Sequence, residues 1–210
     1  MNESVLIYRM IHIDSLNDIL NDGNILCCNI LHEMGKSFSS IAYPSLMERR
    51  ASKHVPCGPD GNLLDYVAFY FAPRSPMLYT IFKGNVDGCP GGQEDIVYII
   101  SSVKRVVRSD IVYVFTDGHG VMEFTKFFDD LSGLNGIDWE LMNRKYWNDT
   151  EDDPDRSRRR QAEFLVYKKF PVDLIMSIVV LSVQMKETVI TELEHHGLSI
   201  QVDVKPEFYF

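Results

Sequence analysis

The sequence predicts a mixed α+β domain, and three observations carry this prediction. A length of 210 residues with 45% hydrophobic residues suits one compact domain with an ample core. Candidate strands and helices are interspersed without a regular β-α-β rhythm, so a doubly wound parallel sheet is not indicated. Neither G-x-G-x-x-G nor G-x-x-x-x-G-K-[ST] occurs, so no dinucleotide or phosphate loop of those two kinds is expected.

Strands are predicted from short runs rich in β-branched and aromatic residues that end at turn residues. The clearest run is YVAFYFA, which Pro73 ends. A glycine-rich loop precedes the run IVYIIS, and the turn TDGHG follows IVYVF. In chain order, the predicted strands cover residues 5–10, 66–72, 96–101, 111–115, 163–167, 177–181 and 200–204.

Helices are predicted where apolar residues recur at helical spacing between capping signals. Asp14 can N-cap the first helix, and Gly23 can end it in the C′ position. The pair Ser75-Pro76 can open another helix, because proline is tolerated in the first turn. In chain order, the predicted helices lie between Asp14 and Gly23 and at residues 45–53, 75–81, 123–131, 138–146 and 186–195. Turn signals and charge predict loops at residues 55–61, 84–92 and 148–160.

Charge and cysteine content narrow the class of protein. The formal net charge of −9 argues against non-specific coating of nucleic acid, but it leaves room for a local basic groove. No apolar run is long enough to cross a membrane and the first residues lack a signal-peptide pattern, so we expect a cytoplasmic protein with no membrane partner. The four cysteines form no C-x-x-C pair, so reduced thiols are expected and no metal site is predicted.

The stretch RSRRRQAEFLVY gathers cations in an otherwise acidic chain. Its arginines follow the acids of residues 151–155, and they either pair with those acids in a solvated linker or meet an anionic partner. Glu163 then stands at the entrance of the apolar run FLV. It is either a solvating carboxylate at a strand edge or a polar group placed in a cleft.

Three further segments admit both a structural and a functional interpretation. Arg49 and Arg50 end the predicted helix 45–53, where they either complement the helix dipole or clamp a phosphate or carboxylate. His119 lies between two glycines, either as a solvated turn residue or as a group that can approach a ligand closely. The aromatic residues of FYFAPRSPMLYTI are typical of a core, although this segment also suits the rim of a site for a flat heteroaromatic ligand.

Segments spread along nearly the whole chain share a pattern with one known family. In order, they read YRMIHIDSL, SIAYPSLMERR, DYVAFYFAPRSPMLYTI, GGQEDIVYIISS, VFTDGHGVM, IDWELM and RRQAEFLVYKKFP. Together they resemble the DarT family of DNA ADP-ribosyltransferase toxins. The resemblance implies an ADP-ribosyltransferase fold, which is a split, mainly antiparallel β-sandwich with peripheral helices, in a single domain over residues 1–210.

The resemblance also implies a reaction and partners. Members of the family transfer ADP-ribose from the co-substrate NAD⁺ to a base of single-stranded DNA, with thymine expected here rather than guanine, and release nicotinamide. The expected partner is a cognate antitoxin, DarG, whose macrodomain removes the modification, and the free toxin is expected to be a monomer. Two alternatives stay open, namely an enzyme of the same fold that acts on RNA or protein, and a non-catalytic nucleotide-binding module.

The resemblance assigns residues by their motif positions. Glu163, Arg50 and His119 match the catalytic glutamate, the catalytic arginine and an active-site histidine. The expected NAD⁺ contacts come from the first strand, the catalytic arginine and the nicotinamide pocket wall: Arg9, His12, Arg50, Phe71, Ser75 and Met77. Some relatives have histidine where this chain has Arg9. The expected approach for DNA is the basic run Arg156, Arg158, Arg159 and Arg160.

Overall fold

Two sheets organise the part of the chain that the computed structural model describes, which is residues 5–36, 41, 43–86 and 89–210. The strands are, in chain order, β1 (Leu6–His12), β2 (Asn24–Leu26), β3 (Tyr66–Tyr70), β4 (Ile96–Ser102), β5 (Tyr113–Thr116), β6 (Phe127–Phe128), β7 (Glu163–Tyr167), β8 (Lys169–Pro171), β9 (Ser177–Val180) and β10 (Gln201–Val204). The eight-stranded sheet has the order β10-β9-β4-β1-β3-β7-β5-β6, and the small sheet pairs β2 with β8. Only β9 and β10 pair in parallel, so the predicted mixed class with a mainly antiparallel sheet is confirmed.

Helices surround the sheets at the ends of these strands. They are α1 (Ser15–Asp22), α2 (Cys28–Glu33), α3 (Pro44–Ser52), α4 (Pro76–Phe82), α5 (Val103–Arg108), α6 (Trp139–Met142), α7 (Arg156–Arg160) and α8 (Val183–His195). The capping signals act as predicted for two of them. Gly23 ends α1 in the left-handed conformation with φ 64°, and the Ser75 hydroxyl accepts a hydrogen bond from the N–H of Leu78 at the start of α4.

The main sheet divides between β1 and β3. These strands are paired only at Tyr8 and Tyr70, whereas β1 and β4 pair along the whole of β1. Next to the Tyr8–Tyr70 pair, the carbonyl of Ala68 in β3 accepts a hydrogen bond from the Arg9 side chain, whose Nη1 lies 2.8 Å away. The predicted split corresponds to this junction, and the divergence of the two strands leaves room for a cavity between the halves.

The core explains why a polar residue at the start of β7 is exceptional. Every residue of β4 is buried, and the centre of the sheet packs phenylalanine rings such as Phe69 and Phe164. A strand that is covered on both faces reads as a continuous apolar run. Glu163 opens such a strand and is itself buried, so its carboxylate requires partners inside the protein.

Two predicted helices differ from the observed structure. The prediction of a helix at 123–131 is wrong, because the N–H of Lys126 bonds the Asp117 carboxylate and the segment continues into the short strand β6. The predicted helix 138–146 is reduced to α6, since the Arg160 guanidinium takes the carbonyls of Leu141, Met142 and Arg144. Within the described ranges, no helix combines the length and the hydropathy that a membrane span needs.

Candidate active site

Glu163 is held in place by three hydrogen bonds. It is only 1% exposed, and its Oε2 accepts from Arg50 Nη1 at 2.9 Å. Its Oε1 accepts from the main-chain N–H of Gly120 at 2.9 Å, and its own N–H donates to the Thr116 hydroxyl at 3.0 Å. Both carboxylate oxygens are therefore oriented by donors from other segments, which fixes the group in one position.

Arg50 and Tyr70 surround the Glu163 carboxylate. Burial acts to lower the pKa of Arg50, but Glu163, Tyr70 and Cys28 together outweigh it and raise the pKa above its ordinary value. Tyr70 faces Glu163 across the β3–β7 pair, and burial together with the Glu163 charge raises the pKa of its hydroxyl. Arg50 therefore stays a cation and Tyr70 stays a neutral donor.

His119 is half-buried and rests on a turn that is tied to α7. Its N–H donates to the carbonyl of Arg158 at 2.9 Å, and its carbonyl accepts from the Thr125 hydroxyl at 2.7 Å. Burial lowers the pKa of the imidazole despite the nearby Glu163, so the neutral form is favoured. A Cβ at Gly120 would lie 3.1 Å from Glu163 Oε1, so a glycine there allows the close approach of the turn. His119 is therefore not the solvated turn residue that one of the two sequence interpretations describes.

A cavity opens beside the Arg50–Glu163 pair, where β1 and β3 diverge. Arg50 lines it together with the predicted cofactor residues Arg9, His12 and Met77, and with Tyr70. Among the described residues, Arg9 Nε and His12 Nε2 are buried without a hydrogen-bond partner, although His12 Nε2 lies 3.7 Å from an Asp95 carboxylate oxygen. An unsatisfied buried donor costs about 1–3 kcal/mol, so this lining fits a polar ligand.

Two predicted members of the nicotinamide pocket lie elsewhere. Phe71 is a core residue, 5% exposed, whose ring makes edge contacts with Phe115, Trp139 and Phe164. Ser75 is buried as the N-cap of α4. Neither side chain lines the cavity, whereas Met77, the second residue of α4, does.

Two of the four arginines of the basic run, Arg158 and Arg159, bind acids of the chain itself. Arg158 binds Asp155 through Nε and Nη2 at 2.7 and 2.8 Å, and binds Asp117 through Nη1 at 3.0 Å. Arg159 binds both carboxylate oxygens of Asp153 at 3.1 and 2.6 Å. These contacts favour the alternative in which the acids neutralise the arginines, because guanidinium groups already paired this way are not free for phosphates.

The two remaining arginines of the run bind main-chain carbonyls. Arg160 is 3% exposed, burial lowers its pKa to about 10, and it donates to four main-chain carbonyls, those of Leu141, Met142, Arg144 and Pro73. Arg156 donates from Nη2 to the Tyr146 carbonyl at 2.9 Å. Among the residues that the structure describes, neither Arg156 nor Arg160 has a carboxylate within 4.0 Å, and of the two Arg156 is the more exposed.

The whole chain can be compared with known proteins. A family model described as "DarT: ssDNA thymidine ADP-ribosyltransferase, DarT" matches residues 8–210. The chain belongs to the DarT family. A relative from Thermus sp. (strain 2.9), called a DNA ADP-ribosyl transferase, is 43% identical over 210 residues, which covers 99% of this chain and 97% of the relative.

Solved structures of DarT have the same fold. Thermus sp. 2.9 DarT in complex with ADP-ribosylated ssDNA matches with a TM-score of 0.91 at 39% identity, covering 99% of this chain and 97% of that one. The NAD⁺ complex of the same protein matches with a TM-score of 0.85 at 37% identity, covering 99% and 98%. The predicted ADP-ribosyltransferase fold is confirmed, as is the enzyme class, DNA ADP-ribosyltransferase.

Sequence reasoning missed several groups of this DarT-family site. Tyr70, Thr116 and the N–H of Gly120 all contact or face Glu163. The sequence did contain an indication for Tyr70, because this residue belongs to the aromatic strand beside the Pro-Arg-Ser-Pro segment. The sequence contained no such indication for the main-chain N–H of Gly120, because this group reaches Glu163 only through the fold of the His119 turn. No group of three or more His, Cys, Asp or Glu side chains suited to a metal ion occurs in the described ranges.

Proposed function

We propose that Glu163, Arg50 and His119 transfer ADP-ribose from NAD⁺ to a thymine base of single-stranded DNA. The observation that carries the proposal is the buried Glu163 carboxylate, held at 2.9 Å by both Arg50 and Gly120 beside the cavity that Arg50 lines. The family description names thymidine in ssDNA as the acceptor. The Thermus sp. 2.9 DarT complexes with NAD⁺ and with ADP-ribosylated ssDNA support the same pair of substrates.

Glu163 has a role in both halves of the reaction. As the bond between nicotinamide and ribose breaks, nicotinamide leaves with the bonding electrons and positive charge develops on the ribose. A fixed carboxylate beside that ribose stabilises the charge without having to reorganise. A ring nitrogen of thymine then forms the new bond to the ribose carbon, and the nitrogen's proton passes to the Glu163 carboxylate.

Arg50 is proposed to bind NAD⁺ and to orient Glu163. Its Nη1 engages Glu163, while the guanidinium carries further N–H donors suited to a pyrophosphate oxygen. Arg9 and His12 line the same cavity and are proposed as additional NAD⁺ contacts. His119, kept neutral by burial, is proposed as a hydrogen-bonding group that orients a reacting partner.

A defined oligonucleotide assay tests the proposal. The protein is incubated with NAD⁺ and a single-stranded oligonucleotide that contains one thymine, and the product is analysed by mass spectrometry. We expect one added ADP-ribose on the thymine and release of nicotinamide. Parallel incubations with RNA and with protein must stay unmodified, since modification there instead of on DNA would overturn the acceptor assignment.

Substitution of Glu163 tests its role in the same assay. Glu163→Gln keeps the shape of the side chain but removes the charge and the proton acceptor, so we expect transfer to fall by at least about a hundredfold. The matched control is Glu187→Gln, because Glu187 is exposed on α8, and it should behave like the unsubstituted protein. Retention of transfer by the Glu163→Gln variant would refute the assignment.

The remaining expectations concern organisation and partners. We propose that residues 1–210 act as one ADP-ribosyltransferase domain, since the main sheet takes strands from β1 near the start to β10 near the end of the chain. We further propose that the protein is a toxin that acts on cellular DNA as a cytoplasmic monomer and is opposed by a macrodomain antitoxin, DarG. Size-exclusion chromatography with and without the antitoxin tests both the monomer and the complex.

A further inference from the structure

The turn that carries His119 continues into an exposed apolar tip. We define this segment, residues 121–126, as the 121–126 loop. Its Phe124 is 83% exposed, which is the largest exposed fraction among the large hydrophobic side chains of the described ranges, and Met122 is exposed beside it. A single exposed apolar residue is common on protein surfaces, so the meaning of Phe124 depends on what holds it and what surrounds it.

The loop is fixed by hydrogen bonds on both sides of Phe124. The N–H of Met122 donates to the His119 carbonyl at 3.0 Å, and the N–H of Thr125 donates to the Met122 carbonyl at 3.3 Å. The buried hydroxyl of Thr125 donates to the His119 carbonyl at 2.7 Å and accepts from Arg158 Nη1 at 3.2 Å. Phe124 therefore projects from a constrained turn and not from a freely moving loop.

The same turn connects Phe124 to Glu163. The N–H of Gly120 binds Glu163 Oε1, and four residues of chain span at most about 14 Å, so the Phe124 backbone lies within that distance of Gly120. This separation is on the scale of a few nucleotides of a single strand. A base next to the modified thymine is therefore within reach of the ring.

Cations contact the loop from the end of α3. Arg49 Nη2 lies 3.7 Å from the Met122 sulfur, and Lys53 Nζ lies 3.5 Å from the Met122 carbonyl oxygen. Lys126 is exposed at the far end of the loop, and Glu123 is the one acid within it. In a chain with a net charge of −9, a local group of cations around an exposed ring is the footprint expected of a single-stranded nucleic acid site.

We infer that Phe124 is a stacking platform for a base that flanks the target thymine, with Arg49 and Lys53 beside it to meet the phosphates. The inference rests on the proposed function and adds a substrate-positioning residue to it. Every base has a π-face, so an exposed aromatic ring can hold a flanking nucleotide with little regard to its identity. Arg158, which the basic run offered as a DNA contact, instead helps to anchor the platform through Thr125.

Oligonucleotide binding without NAD⁺ gives the first test. Fluorescence anisotropy of a labelled single-stranded oligonucleotide should show affinity about tenfold weaker for Phe124→Ala, and close to the original affinity for Phe124→Tyr, because loss of one stacked base has an effect of this order. The matched control is Phe82→Ala, since Phe82 is an exposed aromatic of α4 that contacts Tyr79 and Phe210 instead. Equal affinities of Phe124→Ala and the unsubstituted protein would overturn the inference.

An abasic scan separates stacking from a structural effect. In the unsubstituted protein, removal of the flanking base that stacks on Phe124 should raise the KM for the oligonucleotide about tenfold, while the KM for NAD⁺ is unchanged. The Phe124→Ala variant should be insensitive to the same abasic site. Equal sensitivity of both proteins at every flanking position would refute the platform. Failure of the unsubstituted protein to modify DNA would instead refute the proposed function, and the binding experiment would still decide the role of Phe124.

Discussion

At the scale of single residues, the site depends on one buried ion pair. Arg50 and Glu163 contact each other at 2.9 Å, with side chains 12% and 1% exposed. Removal of one member of a buried pair leaves an uncompensated charge and typically costs about 3–5 kcal/mol. Replacement of both members by neutral groups of similar size removes that penalty, so stability and activity can be separated here.

This separation gives a testable prediction. Arg50→Met should lower the free energy of unfolding by about 3 kcal/mol, because the Glu163 charge is left buried, and the double variant Arg50→Met with Glu163→Gln should recover most of it. Neither variant should transfer ADP-ribose. Urea denaturation measures the first effect and the oligonucleotide assay the second. A double variant no more stable than Arg50→Met would show that the pair is not energetically coupled.

The sequence predicted the residues of the site better than their contacts. Glu163 was conspicuous because it interrupts an apolar strand, and Arg50 and His119 were found through motifs that resemble the family. The donor from Gly120 could not be predicted, since any residue has a main-chain N–H and only the fold decides where it points. Phe71, which was predicted for the wall of the nicotinamide pocket, follows the end of β3 and packs its ring in the core, and aromatic composition does not determine that direction.

At the scale of elements, strands were predicted more accurately than the segments held by side chains. The strand at residues 163–167 was predicted with its observed bounds, because its apolar run is bounded by polar residues. The helix α7 was predicted as part of a loop, since its acidic and basic residues show no apolar periodicity. The arginines of α7 instead form ion pairs with Asp117, Asp153 and Asp155. Asp117 is distant in sequence, and the two nearer acids lie at unequal spacings from the arginines that they bind.

Arg160 at the end of α7 provides the prediction for this scale. Its four bonds to carbonyls join α7 to the end of α6, to Arg144 just after it, and to Pro73. Lysine keeps the charge but lacks the planar fork, so Arg160→Lys should leave carbonyls unpaired and lower the free energy of unfolding by about 1–3 kcal/mol. Arg156→Lys is the matched control, because it retains the charge at a partly exposed position with one carbonyl contact, and it should change stability by less than about 0.5 kcal/mol. Thermal unfolding of the two variants compares them, and equal stabilities would contradict this account.

At the scale of the whole molecule, the question is which surface of an acidic protein can bind DNA. The net charge is −9, and in the basic run Arg158 and Arg159 are paired with acids of the same chain. The cations that contact the 121–126 loop, Arg49 and Lys53, are paired with no carboxylate within 4.0 Å among the described residues. The chain thus has two candidate approaches for DNA, and the salt dependence of binding distinguishes them.

Each phosphate contact on a single strand contributes about −0.7 to the slope of log affinity against log salt concentration. If the 121–126 loop is the approach, the double variant Arg49→Gln with Lys53→Gln should flatten the slope by about 1.4, which corresponds to two lost contacts. Arg156→Gln should leave the slope unchanged. Anisotropy titrations at several salt concentrations measure both slopes. Flattening by Arg156→Gln alone would instead place the DNA on the basic run, because Arg156 is the partly exposed arginine of that run that pairs with no carboxylate among the described residues.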